Sequence, residues 1–162
     1  MNTSSDHIER KVLLDVPRSR VWAALVDAEA FGDWFGVALE GQRFVAGQRT
    51  QGKITYPGYE HLVWDVLVER IEPELLFSFR WHPYAVDPDV DYSAEPTTLV
   101  RFELEDLGDL ENPEDPNGGT LLRVVESGFD DIPAERRLKA FRMNSRGWDE
   151  QMSNIETYLA TH

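Results

Sequence analysis

A chain of 162 residues with 30 acidic and 16 basic side chains has the size of one domain and a formal charge of -14, which repels phosphate groups. We therefore expect neither nucleic acid nor a membrane surface as a partner. The absence of cysteine excludes disulfides, zinc–thiolate sites and cysteine nucleophiles. The polar N-terminus and the lack of a long apolar segment predict a soluble, cytoplasmic protein, a single domain over 1–162 with a core from about 8 to 160.

The first elements are predicted to be a strand followed by two short helices. Apolar residues alternate loosely over 8–16, and Pro17 ends the strand because proline has no backbone N–H to give to a sheet. Apolar residues at helical spacing then predict a helix over 18–27 and a second one over 28–35.

The middle of the chain is predicted to be a run of about six strands. Apolar and polar residues alternate along most of its segments, which indicates strands with one buried and one wet face. The aromatic sides of these strands should face inward. The predicted strands are 37–44, 48–56, 61–71, 75–82, 97–105 and 120–127.

Two segments between the strands are predicted to be loops. The insert 83–96 contains three prolines and two tyrosines, and we expect it to form either a lid over a pocket or the contact of a homodimer. The segment 105–119 is acidic and rich in Pro, Gly and Asn, which predicts a solvated hairpin loop.

A long C-terminal helix is predicted from Pro133 onward. Its apolar residues recur every three or four positions, with one gap of seven that Ser145 divides, and they form a single stripe. One helix beside so many strands must pack on a sheet. We therefore predict an α+β fold, in which a curved antiparallel sheet of six or seven strands wraps around this helix and leaves a cavity. The stripe consists of Leu138, Phe141, Trp148, Met152, Ile155 and Leu159.

Four groups of short motifs lie on these predicted elements. They are Val16-Pro17 with 21–25 and Trp34-Phe35, Glu72-Pro73 with 76–81, 119–122 with 126–129, and Gly147-Trp148. From about 8 to 159, the chain resembles bacterial homologues of the activator of the heat-shock protein 90 ATPase, within the START and birch-pollen-allergen-like helix-grip (SRPBCC) superfamily. The resemblance implies a helix-grip fold. It also implies one of three roles: binding a hydrophobic ligand, catalysing cyclisation or hydrolysis, or contacting a chaperone.

Glu126 is the polar residue to examine for chemistry. By alternation it shares a face with Leu122 and Val124 and should point into the barrel, where burial raises the pKa of a carboxyl and can create a general acid or base. We favour instead a Glu126 that is hydrated at the cavity mouth or paired with an arginine such as Arg142. In the family that the chain resembles, a histidine often stands here, so a histidine-based role is not expected.

Motifs for metals and cofactors are absent from the sequence. The histidines are widely spaced, and Asp87, Asp89 and Asp91 lack the glycine and the glutamate of an EF-hand loop. No GxSxG elbow, phosphate loop or dinucleotide fingerprint occurs. We therefore expect no metal and no cofactor, and we favour a binding protein over an enzyme.

The aromatic residues of the predicted inner faces suit a flat apolar ligand, although a fully packed core is the competing interpretation. We predict a protein that binds a small hydrophobic or aromatic molecule between sheet and helix. The alternatives are a chaperone co-factor and a polyketide cyclase-like or hydrolase-like enzyme that uses Glu126 and a water molecule. The predicted ligand-binding residues are Trp34, Phe35, Tyr56, Trp64, Phe79, Trp81, Phe102, Glu126, Phe141, Trp148 and Met152.

Overall fold

Six antiparallel strands form one curved sheet in the computed structural model, which describes residues 6–87, 89–108 and 118–162. The spatial order is β1-β6-β5-β4-β3-β2, so the first strand of the chain pairs with the last one. The strands are β1 (His7–Leu14), β2 (Arg49–Lys53), β3 (Val63–Glu72), β4 (Leu76–Trp81), β5 (Thr98–Gly108) and β6 (Gly119–Ser127).

Strand β6 lies between two neighbours. Its Glu126 is opposite Ile8 on β1 and opposite Val100 on β5. Because the sheet is antiparallel and one face is buried, this register decides which side chains of β6 point inward. Leu122 and Val124 are buried on the same face as Glu126, as the alternation predicted.

Two short helices, α1 (Arg18–Val26) and α2 (Ala28–Phe35), follow β1 as predicted. The side chain of Asp27 accepts hydrogen bonds from the first backbone N–H groups of α2, as expected for an N-cap. The helix ends at Gly36, whose φ of 96° is left-handed. A Cβ at Gly36 would stand 2.5 Å from the ring of Tyr56, so this glycine also allows the ring to approach the helix end.

The long helix α3 (Ala134–Thr161) packs against β1, α1 and α2. The second half of the predicted stripe is confirmed, since Trp148, Met152, Ile155 and Leu159 are buried. The prediction for Leu138 is wrong, because this side chain is 58% exposed. Among the described residues, no helix is both long enough and apolar enough to cross a membrane.

The buried line of α3 continues toward its N-terminus through smaller residues. Ala140 is fully buried and Asn144 is partly buried. Ala140, Asn144 and Trp148 follow one another at intervals of four residues and therefore lie on one face of the helix. Phe141 is only partly buried and packs on Phe129 of the 3₁₀ turn Phe129–Asp131, with 5.2 Å between the ring centroids. The predicted stripe was defined by large apolar side chains, so it did not include Ala140, which is small, or Asn144, which is polar.

The strand predicted over 37–44 is wrong. A single bridge joins Val37 to Ile54, and a turn closed by the Gln42 N–H and the Leu39 carbonyl, 3.0 Å apart, interrupts the segment. Its apolar residues are nevertheless buried against the core.

The loop predicted over 105–119 is shorter at both ends, because β5 continues to Gly108 and β6 starts at Gly119. Residues 109–117 of that loop lie outside the described part. In the insert 83–96, the described residues form turns and no helix or strand.

The centre of the molecule is a cluster of aromatic rings. Phe31 of α2 is fully buried, and its ring centroid lies between 4.7 and 6.4 Å from those of seven other aromatic side chains. These rings fill the middle of the space between sheet and helices. The seven partners are Trp34, Phe35, Phe44, Trp64, Phe77, Phe79 and Phe102.

Two substitutions on α3 test the position of its buried face. Ile155→Ala removes a fully buried side chain, and we expect it to lower the free energy of unfolding by about 2–5 kcal/mol. Leu138→Ala, at an exposed position of the same helix, should change it by less than about 0.5 kcal/mol. Urea denaturation of both variants measures the difference. A large loss for Leu138→Ala would contradict the orientation of α3.

Candidate functional site

Glu126 is fully buried near the end of β6. Its side chain points into the molecule, as the alternation predicted. The expectation that it lies hydrated at the cavity mouth or pairs with Arg142 is wrong, because the carboxyl has no exposure and Arg142 is exposed on α3. The partners that replace water come from other strands and from the helix, so no local pattern of β6 indicates them.

Four side chains hydrogen-bond to this buried carboxyl. The indole N–H of Trp81 and the hydroxyl of Thr98 donate to Oε2 at 2.7 and 2.5 Å. The indole N–H of Trp148 donates to Oε1 at 2.8 Å. The amide of Asn144 lies 3.0 Å from Oε1 and 3.1 Å from Oε2. Both oxygens therefore have partners, as a buried carboxyl requires.

The four donors come from three elements around β6. Trp81 ends β4 and Thr98 begins β5, so both lie at the same end of the sheet as Glu126. Asn144 and Trp148 are four residues apart and share one face of α3. The carboxyl of Glu126 thus connects the long helix to three adjacent strands.

Burial raises the pKa of the Glu126 carboxyl above its ordinary value of 4.5, because removal from water disfavours the charged form. The hydrogen bonds from Thr98, Trp81, Trp148 and Asn144 act in the opposite direction and offset part of this effect. A carboxyl with a raised pKa binds protons more readily in the folded chain than in the unfolded one. It therefore makes the stability depend on pH.

Glu126→Gln tests this pKa. Stability linked to the raised pKa is fully present below pH 4.5 and is lost as the pH rises through the folded-state pKa. We expect the free energy of unfolding of the native chain to fall relative to that of the variant as the pH increases from about 4.5 to 8. Urea denaturation of both proteins across this range gives the difference. A constant difference would mean that the carboxyl ionises as it does in water.

A pocket of about 290 Å³ lies beside this cluster, between α3, the end of α2, the strands β3 and β4 and the insert. Of the predicted ligand-binding residues, five border it: Phe35, Tyr56, Trp64, Trp81 and Trp148. Residues of its lining that are not among the predicted ligand-binding residues are Gly36, Val37, Ile54, Tyr59, Leu62, Tyr84, Val86, Met143, Asn144, Gly147, Glu150 and Gln151.

The other predicted residues lie away from this pocket. Phe79 and Phe102 are fully buried in the aromatic cluster, Met152 is buried on the inner face of α3, and Phe141 packs on Phe129. Trp34 donates its indole N–H to the carbonyl of Ala24 at 2.9 Å. Glu126 also does not border the pocket, because Trp81, Trp148 and Asn144 stand between it and the open space.

Asn144 is the lining residue that the sequence could have indicated. It precedes Trp148 by four residues, so it shares a helix face with a predicted inward side chain. Tyr59 and Val86 come from irregular segments, and no periodicity predicts where such segments go.

Trp81 and Trp148 form a pair of aromatic walls. Their ring centroids are 5.9 Å apart with an angle of 30° between the planes, and both rings border the pocket. Because each indole N–H donates to the carboxyl of Glu126, this one side chain holds the orientation of both walls. Glu126 therefore acts on the pocket through the residues that line it.

The insert reaches the pocket and is anchored by one arginine. Arg136 of α3 donates to the carboxylate of Glu95 and to the carbonyl of Pro83, both at 2.8 Å. Its guanidinium also lies 4.7 Å from the ring centroid of Tyr92. The side chain of Arg136 is only 19% exposed. Through these contacts, the insert places Tyr84 at the pocket.

Arg136→Ala should release the insert. Charge-assisted hydrogen bonds contribute about 1.5–3 kcal/mol each, so we expect limited proteolysis within 83–96 to accelerate by roughly tenfold or more. Arg142→Ala is the matched control, because Arg142 is exposed on the same helix. Equal cleavage rates for the two variants would show that other contacts hold the insert.

The curved antiparallel sheet around a long C-terminal helix defines a helix-grip protein. The family described as "Activator of Hsp90 ATPase homolog 1-like protein" matches residues 15–160, and the chain belongs to this family. The resemblance noted in the sequence motifs is thereby confirmed. No curated protein gives a significant sequence match.

Solved structures share this fold at low sequence identity. Protein MLL2253 from Mesorhizobium loti is 22% identical, with a TM-score of 0.66 over 96% of this chain and 97% of the other. DynU16, described as a protein in the dynemicin biosynthetic locus, is 22% identical, with a TM-score of 0.68 over 96% of this chain and 48% of the other. CalU16 from Micromonospora echinospora is 18% identical, with a TM-score of 0.60 over 94% and 75%. These likenesses concern the fold alone.

Proposed function

We propose that the chain binds a small, flat, largely apolar molecule in the pocket beside Trp81 and Trp148. The observation that carries the proposal is the arrangement of this pocket. It adjoins a core filled with rings, and two of its walls are indoles held in place by a buried carboxyl. Seven of its lining residues are aromatic: Phe35, Tyr56, Tyr59, Trp64, Trp81, Tyr84 and Trp148.

The pocket volume suits a small ligand. At about 290 Å³ it is at the lower end of the range of ligand pockets, which runs from about 300 to 1,000 Å³. Several polar groups of the lining already bond to the protein. Asn154 donates to the Tyr56 hydroxyl at 2.8 Å, and Gln151 donates to the Phe35 carbonyl at 2.9 Å. Contact with aromatic faces should therefore supply most of the affinity.

Family and fold support a ligand-binding or polyketide cyclase-like class of protein. One structural neighbour, DynU16, is described as belonging to a biosynthetic locus, which agrees with a small organic ligand. We also propose that the chain works as a single domain in the cytoplasm, as its composition suggests.

Two other functions remain hypotheses. A cyclase-like or hydrolase-like enzyme would need a reactive group in contact with the ligand, and Glu126 is separated from the pocket by its own donors. A chaperone co-factor is suggested by the family description. It would be recognised by a stable complex with the chaperone or by a changed ATPase rate.

A homodimer through the insert is tested by light scattering of a variant with a shortened insert.

The five tryptophans provide an internal test of the proposed site. Trp64, Trp81 and Trp148 border the pocket, whereas Trp22 and Trp34 do not. When 2-naphthol is titrated into the labelled protein, we expect the indole N–H resonances of the first three to shift and those of the other two to stay constant. Shifts of equal size in all five, or in none, would contradict binding at this pocket.

Gly147→Leu offers a way to block the pocket without disturbing the core. Gly147 lines the pocket, and a Cβ placed on it meets no atom within 4 Å. Leucine is also a better helix former than glycine, by roughly 0.5–1 kcal/mol. We therefore expect an unchanged or higher melting temperature and at least a tenfold weaker affinity for 2-naphthol. Ser153→Leu, at an exposed position of the same helix, is the control and should bind normally.

A further inference from the structure

Among the described residues that line the pocket, the charged side chain is an acid. Glu150, exposed at the rim on α3, is the acidic residue of its lining, and the described lining contains no lysine or arginine. An adjoining pocket of about 170 Å³ shares Trp64, Trp81, Tyr84 and Asn144 with the first and adds Asp65 and His82. It likewise has no lysine or arginine among the described residues that line it. Arg49 donates to Asp65 at 2.9 Å, so Glu150 is the more available charge.

The chain as a whole strengthens this bias. With a formal charge of -14, its surface attracts cations and repels anions. An anionic ligand would find no cationic side chain in the described lining to offset its loss of hydration. Fatty acids and other carboxylates are therefore poor candidates for this pocket.

The aromatic walls themselves attract positive charge. The face of an aromatic ring is negative, and a cation over the face of tryptophan gains about 0.5–2 kcal/mol. Trp81 and Trp148 each donate the indole N–H to the carboxyl of Glu126. Such a bond commits the N–H edge of each indole to the carboxyl and leaves only ring surface for a ligand.

Rings of the insert already bind cations of the chain. The guanidinium of Arg136 lies 4.7 Å from the ring centroid of Tyr92, and the ammonium of Lys139 lies 5.9 Å from that of Tyr84. Lys139 does not line the pocket, but it makes the Tyr84 side less favourable for a second cation. A positive group should therefore bind on the side of the pocket away from Tyr84, which is bordered by Trp81, Trp148 and Glu150.

We propose that this pocket selects ligands that carry a quaternary or otherwise alkylated ammonium group on a small apolar or aromatic body. The ammonium lies against the accessible part of the Trp81 ring, in the pocket whose rim carries Glu150, and the apolar body contacts the remaining rings. This inference rests on the proposed function, because it specifies the ligand class of the same pocket.

Three phenols of nearly equal shape test the charge preference. They are (4-hydroxyphenyl)trimethylammonium, the neutral 4-tert-butylphenol and the anionic 4-hydroxybenzenesulfonate. We expect calorimetric titration at low salt to give the highest affinity for the cation, by about threefold to tenfold over the neutral phenol, and the lowest for the anion. The advantage of the cation should shrink as salt is added, because the rim charge is exposed.

Variants separate the pocket from the general charge of the surface. Glu150→Gln should weaken binding of the cation by about twofold to threefold and leave the neutral phenol unchanged. Glu156→Gln, which removes an exposed acid from the same helix outside the lining, should change neither. Gly147→Leu should abolish the cation's shifts at the indoles of Trp64, Trp81 and Trp148. Cation binding that survives Gly147→Leu would overturn the proposal.

The outcomes for the two proposals differ. If the neutral phenol binds as tightly as the cation or more tightly, the ammonium preference is overturned and the binding function stands. If none of the three phenols or 2-naphthol moves the pocket indoles, the binding function fails and the preference fails with it.

Discussion

The structure depends on one buried carboxyl and its four donors. Glu126 is out of contact with water, so every hydrogen bond it makes must come from the protein, and Trp81, Thr98, Asn144 and Trp148 supply them. A shift of β6 by one residue would turn Glu126 to the outer face and leave these donors without their acceptor. The cluster therefore specifies the register of the sheet and the rotation of α3 together.

The same interaction decides what the pocket can recognise. An indole has a single N–H, and in Trp81 and Trp148 it is committed to the carboxyl, so these residues meet the pocket only with the parts of their rings that border it. The aromatic cluster around Phe31 fills the centre of the fold and leaves space at one end, near α3 and the insert. The ligand that we propose for this pocket is accordingly a small molecule that binds by stacking and by cation–π contact.

Local patterns predicted most of the elements. Pro17 after the first strand and the helical spacing that follows it placed α1 and α2 nearly to the residue. Alternation identified the inner faces of β3 to β6. The strand predicted over 37–44 was wrong because apolar residues of this segment are buried without pairing in a sheet. A buried irregular segment and a buried strand can show the same arrangement of apolar residues in a sequence. Leu138 failed because a stripe defined by large residues ignored Ala140.

For the candidate site, too, the sequence predicted some features and the packing of the chain decided the others. The sequence by itself determined the fold class, the inward direction of Glu126 and the aromatic character of the interior, because periodicity reports which face of an element is buried. Only the tertiary structure decided that, within the described part of the chain, the partners of Glu126 are Trp81, Thr98, Asn144 and Trp148 and not an arginine. It also decided that Phe79 and Phe102 fill the core while Trp81 and Trp148 border a pocket, and that Tyr84 reaches this pocket. These facts depend on distances between residues that are as much as 116 positions apart, such as Phe35 and Gln151, and such distances are set by packing, which no local pattern encodes.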